Sequence, residues 1–191
     1  MLYLLFRFML RVLYRLLFRL EARGLHHIPK DGPVILASNH ISNLDPPTIG
    51  VLVPRKVNFM AKEELFKVPV FGPLIRAFGA FPVKRGGVSK DAIKSAITLL
   101  KEGNVLGIFP EGSRKTPGAA KKGAAMIAVR SGATIVPVAI VGGYRLFRKT
   151  RVCYGEPLDL TAIIHESSPD MLEQVTDAVM ERIGQLAAQN R

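Results

Sequence analysis

A histidine and an aspartate five residues apart, His40 and Asp45, lie in the segment Asn39-His40-Ile41-Ser42-Asn43-Leu44-Asp45. A single turn can bring such a pair together. Neutral imidazole, with a reference pKa of about 6.5, takes a hydroxyl proton near neutrality, and a carboxylate on its other nitrogen fixes the tautomer and stabilises the imidazolium. The same residues also fit a plainer role, with His40 as a hydrogen-bonded strand end and Asp45 as the cap of a helix that begins at Pro46. Ser42 is close by but lacks the G-x-S-x-G setting of a nucleophile elbow.

Two further segments place cations among glycines. In GAFPVKRG an apolar run delivers Lys84 and Arg85 into a turn at Gly86 and Gly87. Adjacent cations beside a glycine pair suit a bound phosphate, and they equally suit a solvated turn before a helix. In GIFPEGSRKTPG a second run releases Glu111, Gly112, Ser113, Arg114 and Lys115 into a glycine-bounded loop. Arg114 offers a fork of donors to a phosphate monoester. Glu111 can hold the cations in place or bind a substrate hydroxyl. Gly107 and Gly112 have the spacing of a nucleotide phosphate loop, but Ser113-Arg114 replaces its Lys-Ser/Thr pair, which argues against an NTPase. The run IVPVAI, 135–140, has the character of a buried strand, with Pro137 at an end, edge or bulge. Core packing is its plain role, and a wall for an acyl chain its functional one.

These residues need elements to position them. Short apolar runs at 34–38, 56–61, 80–83, 105–109, 134–140 and 151–154 predict strands, and they alternate with helical patterns, as in an α/β domain. Helices are expected over 88–101, 119–131 and 169–188, with short helices and turns over 65–78, where Pro69 and Pro73 interrupt. The expected architecture is one α/β domain over residues 23–191, a twisted mixed sheet flanked by helices. The 191 residues suit a single core with appendages.

Residues 1–22 form the appendage. Arg7, Arg11, Arg15 and Arg19 interrupt an otherwise apolar stretch, so it is no spanning helix. At about 100° per residue the arginines drift only about 40° per step, leaving the rest of the circumference to Leu, Phe, Val and Met. That pattern predicts an interfacial helix, its guanidinium groups on anionic lipid phosphates. Packing on the domain's own core or on a second subunit is the alternative. Removal of residues 1–20 is expected to abolish vesicle binding and leave a folded body.

Composition narrows the partners. Lys and Arg number 27 against 15 Asp and Glu, a formal charge of +12, which favours an anionic partner. No nucleic-acid recognition module accompanies the charge. The one cysteine, Cys153, excludes an intrachain disulfide and a Cys-based zinc cage. His26 and His27 fall in a linker and His165 in a polar loop, without partners at metal-ligand spacing, so no metal site is expected.

Taken together and in order, NHISNLD, GAFPVKRG, FPEGSRK and IVPVAI resemble the four motifs of the glycerolipid acyltransferase family, most of all its bacterial lysophosphatidic acid acyltransferases. H-x-x-x-x-D and E-G-[ST]-R about 70 residues apart carry most of the specificity. The resemblance implies that His40 deprotonates the acceptor's 2-position hydroxyl, with Asp45 orienting it. The hydroxyl would attack the thioester of acyl-CoA or acyl carrier protein, with no cofactor. It further implies an acceptor phosphate held by Arg85 and Arg114 with Lys84 beside them, Glu111, Gly112 and Ser113 completing the third motif. The expected setting is the cytoplasmic face of the cell membrane, on an anionic surface that supplies the lysophospholipid. Ile41, Ser113 and Lys115 depart from the residues common at their positions, leaving glycerol-3-phosphate or another lysolipid as alternative acceptors. A noncatalytic lipid-binding protein is the alternative of another class.

Overall fold

Every residue of Val34–Ser38 is buried, a pattern that belongs to a strand covered on both faces. Its side chains alternate between two cores. Val34 and Leu36 join one apolar cluster, and Ile35 and Ala37 join the other. The computed structural model describes residues 2–83, 90–111, 121–166 and 168–191.

Among them, seven strands form one mixed sheet: β1 (Glu21–Arg23), β2 (Val34–Ser38), β3 (Val57–Lys62), β4 (Ala80–Val83), β5 (Val105–Ile108), β6 (Thr134–Val141) and β7 (Arg151–Tyr154). Their order is β1-β7-β6-β2-β5-β3-β4. All pairs are parallel except β6 with β7. The helices are α1 (Leu2–Phe18), α2 (Asp45–Leu52), α3 (Phe71–Ala77), α4 (Lys90–Lys101), α5 (Lys121–Ser131), α6 (Thr161–Glu166) and α7 (Met171–Gln189). Tyr14 and Phe18 of α1 and Ile49, Val51 and Leu52 of α2 fill the first core. Ala96 and Leu100 of α4, Ala125 and Ile127 of α5, and Val175, Val179 and Ile183 of α7 fill the second. Cys153 is a buried core residue, and burial pushes its thiol up.

The six expected strands are present, within a residue or two at their ends. The expected starts of two helices, at 88 and 119, lie outside the described residues. Three expectations need correction. Glu21–Arg23 is a strand that was not expected, because three residues without a β-branched or aromatic side chain are too few to reveal it; its register on β7 comes from tertiary pairing. His165 lies in the short helix α6 rather than in a loop. Asp45 does not cap α2: the cap position is Leu44, without a side-chain bond, and Asp45 is the first helical residue. Its carboxylate is turned away from the helix's own N–H groups toward His40.

Candidate active site

β2, β5, β3, β4 and β6 run parallel, so the chain leaves all five at one edge of the sheet, where ligands gather in open α/β folds. β2 hands over to Asn39, which extends the pairing with its side chain. Asn39 Nδ2 donates to the Ile140 carbonyl at 3.1 Å, and Oδ1 accepts from Ile140 N–H at 2.8 Å. The chain is thus fixed one residue before His40.

His40 Nδ1 lies 2.7 Å from Asp45 Oδ2. A carboxylate only accepts, so Nδ1 carries the proton and Nε2 of the neutral ring presents its lone pair. The ring stacks on Phe109, the first residue beyond β5, with centroids 4.2 Å apart and planes 22° apart. Phe109 in turn stacks on Phe59 at 6.2 Å. Gly107 makes room for Phe59, since a Cβ there would lie 2.0 Å from its ring. Bond and stack together hold the imidazole in one orientation.

Asp45 is fully buried, a costly place for a carboxylate without donors. It has four. Oδ2 accepts from His40 and from the backbone N–H of Ile41 at 2.7 Å and Ser42 at 2.8 Å, and Oδ1 accepts from the Tyr144 hydroxyl at 2.8 Å. Thr48 Oγ1 lies 3.0 Å from the same hydroxyl and donates its own proton to the Leu44 carbonyl at 2.7 Å. Burial pushes the Tyr144 phenol far above its ordinary range, so it stays protonated and donates at any physiological pH. Tyr144→Phe should leave the His40 contact intact and remove one donor. The expected result is a several-fold loss of kcat and about 1–3 kcal/mol of stability, measured by steady-state kinetics and chemical denaturation.

Of the other expected site residues, Glu111 is half-buried three residues beyond β5. Lys84, Arg85, Gly112, Ser113 and Arg114 lie outside the described residues, and the strands that lead to them end at the same sheet edge as β2. Ser42 uses its hydroxyl locally, accepting from Leu44 N–H at 3.2 Å. His27 Nδ1 bonds the Tyr154 carbonyl at 2.8 Å, and among the described residues no cluster suited to a metal ion occurs. Tyr144, Thr48, Asn39 and Phe109 had not been singled out. Tyr144 meets Asp45 across 99 residues, beyond any local pattern. The clue to Asn39 was an amide at a strand end, where it can substitute for main chain.

The N-terminal helix has three faces rather than two. Tyr14 and Phe18 are buried in the core, while Tyr3 and Phe6 meet Phe78 edge to face. Arg7 donates to the carbonyls of Val51 and Pro54 at 3.4 and 3.1 Å, so its guanidinium is engaged by the protein. Arg11, Arg15 and Arg19 are exposed, and Arg19 lies just past the helix with φ 47°. Leu5, Phe8, Met9, Val12, Leu13 and Leu16 form an exposed apolar face. No described helix is long and apolar enough to cross a membrane. Removing residues 1–20 would strip Tyr14, Phe18 and Leu20 from the core, so the truncated body is expected to unfold.

Known proteins share this fold and much of this sequence. A family model described as Acyltransferase matches residues 19–141. The 1-acyl-sn-glycerol-3-phosphate acyltransferase of Bacillus subtilis (strain 168) is 36% identical over 167 residues, covering 84% of each chain. A protein of the same name from Streptococcus pneumoniae is 38% identical over 141 residues, 70% of this chain and 53% of its own, so the chain spans about half of that relative. The crystal structure of the 1-acyl-sn-glycerophosphate (LPA) acyltransferase PlsC from Thermotoga maritima matches with a TM-score of 0.67 at 31% identity, over 87% of this chain and 71% of that one.

Proposed function

The chain belongs to the Acyltransferase family, and from that premise we propose that it moves a fatty acyl group from a thioester to the 2-position hydroxyl of lysophosphatidic acid, giving phosphatidic acid. The observation that carries the mechanism is the 2.7 Å bond between His40 Nδ1 and Asp45, which leaves the Nε2 lone pair for the acceptor. Nε2 takes the hydroxyl proton as the oxygen attacks the thioester carbonyl. The tetrahedral intermediate then expels the thiolate, and the imidazolium proton passes to sulfur. Asp45 stabilises the transient imidazolium and does not itself take the proton. No cofactor or metal enters this sequence, and acyl-CoA or acyl carrier protein supplies the acyl group.

Lys84, Arg85 and Arg114 hold the acceptor phosphate, and Glu111, Gly112 and Ser113 complete the third motif. Purified protein given lysophosphatidic acid in vesicles and an acyl thioester should form phosphatidic acid. A panel including glycerol-3-phosphate and other lysolipids, compared by kcat/KM, should rank lysophosphatidic acid first. A different leader would reassign the acceptor.

The outer face of α1 seats the enzyme on the cytoplasmic face of the cell membrane, with Arg11, Arg15 and Arg19 on anionic headgroups. Four substitutions together, Leu5→Asn, Phe8→Asn, Val12→Asn and Leu16→Asn, spare the core-facing stripe. Vesicle affinity is expected to fall about 100-fold or more in a sedimentation assay, with the melting temperature little changed. Undiminished binding would refute the assignment.

A further inference from the structure

Between Gly142 and Thr150 the chain leaves β6, turns and returns to β7. At its tip Arg148 N–H donates to the Arg145 carbonyl at 3.1 Å, which places Leu146 and Phe147 at the corners of a tight turn. They are 62% and 69% exposed. Phe147 has φ 59°, a conformation in which Cβ crowds the carbonyl and which glycine adopts freely. A strained, exposed aromatic there adds nothing to the protein's own core, and such strain persists where the surroundings impose it for use.

The turn is fastened. Phe147 N–H donates to the Leu17 carbonyl at 2.6 Å and Thr150 N–H to the Phe18 carbonyl at 2.8 Å, satisfying the last turn of α1. Its neck is closed by Thr150 Oγ1 on the Gly143 carbonyl at 2.6 Å and by Gly142, where a Cβ would lie 2.3 Å from the Lys149 carbonyl. Lys149 is paired with Glu21 at 3.3 Å, so exposed Arg145 and Arg148 carry the charge that flanks the apolar pair.

We propose that this turn is a second membrane contact, in which Leu146 and Phe147 enter between headgroups and Arg145 and Arg148 meet the phosphates of anionic phospholipid. The proposal rests on α1 being the interfacial helix, because the turn is bonded to that helix's end. The apolar face of α1 sets the roll of the body about the helix axis only to within the width of that face. A second contact beside one end narrows the roll, and with it the direction in which the His40 edge of the sheet faces.

The chain contains no tryptophan, so Phe147→Trp and Phe8→Trp each give the full-length protein a single reporter. With vesicles of phosphatidylcholine and phosphatidylglycerol, emission from Trp at 147 is expected to shift to the blue and to be quenched by brominated acyl chains. The double variant Leu146→Ser, Phe147→Ser should lose about tenfold in vesicle affinity, with acyl transfer to detergent-dispersed acceptor unchanged. An unshifted reporter at 147 beside a shifted one at 8 would overturn the turn's role and leave the helix reading standing. Both unshifted would overturn both. A response at 147 to an acidic carrier protein but not to vesicles would also overturn the proposal, by naming a protein as the occupant.

Discussion

His40→Ala is expected to lower kcat by about 10²- to 10⁴-fold, the range associated with a positioned general base. The effect should fall on kcat rather than on vesicle affinity, because His40 lies at a sheet edge and the exposed apolar face lies on α1. Stability should fall by about 1–3 kcal/mol, as for the loss of the Tyr144 donor, because buried Asp45 loses one donor and keeps three others. Steady-state turnover, vesicle sedimentation and thermal melting on one preparation separate these effects. Unchanged turnover would remove His40 from the chemistry.

Asp45→Asn should cost a comparable factor, about 10²- to 10⁴-fold in kcat, for a different reason. The amide can keep its oxygen toward His40, Ile41 N–H and Ser42 N–H and turn its NH₂ toward the Tyr144 oxygen, so local bonding survives. What is lost is the negative charge that stabilises the imidazolium. Asp45→Ala should differ in kind. It leaves buried donors without an acceptor and is expected to cost about 1–3 kcal/mol per orphaned group. A melting temperature near the native value for Asn, and a large drop for Ala, would separate charge from architecture. Equal turnover by the Asn variant would show that Asp45 serves only to hold the loop.

The parts of this site that follow local rules were legible in the sequence. Val34–Ser38 is apolar throughout because both its faces are covered, and the histidine-aspartate spacing spans the turn that joins it to α2. For Asp45 the sequence left two roles open, partner of His40 or helix cap, and the fold turns its carboxylate to His40, Ile41 and Ser42. Tyr144 was silent, because its role depends on the return of β6 beside β2 and not on its neighbours in sequence. The N-terminal helix offered a choice between membrane and core, and the structure buries one face in the core and leaves another apolar face exposed. Periodicity reports that a helix is apolar over most of its circumference, but it does not say which part of that the protein covers.

Direct attack by the acceptor distinguishes the proposed mechanism from one passing through an acylated protein. The most direct measurement mixes the full-length protein with a radiolabelled acyl thioester in the absence of acceptor, follows thiol release and protein-bound label, and then adds lysophosphatidic acid. The expected result is neither a thiol burst nor labelled protein at first, followed by thiol and phosphatidic acid in equal amounts, both suppressed by His40→Ala. A stoichiometric burst with label retained on the chain would contradict His40 as the base that activates the acceptor for direct attack.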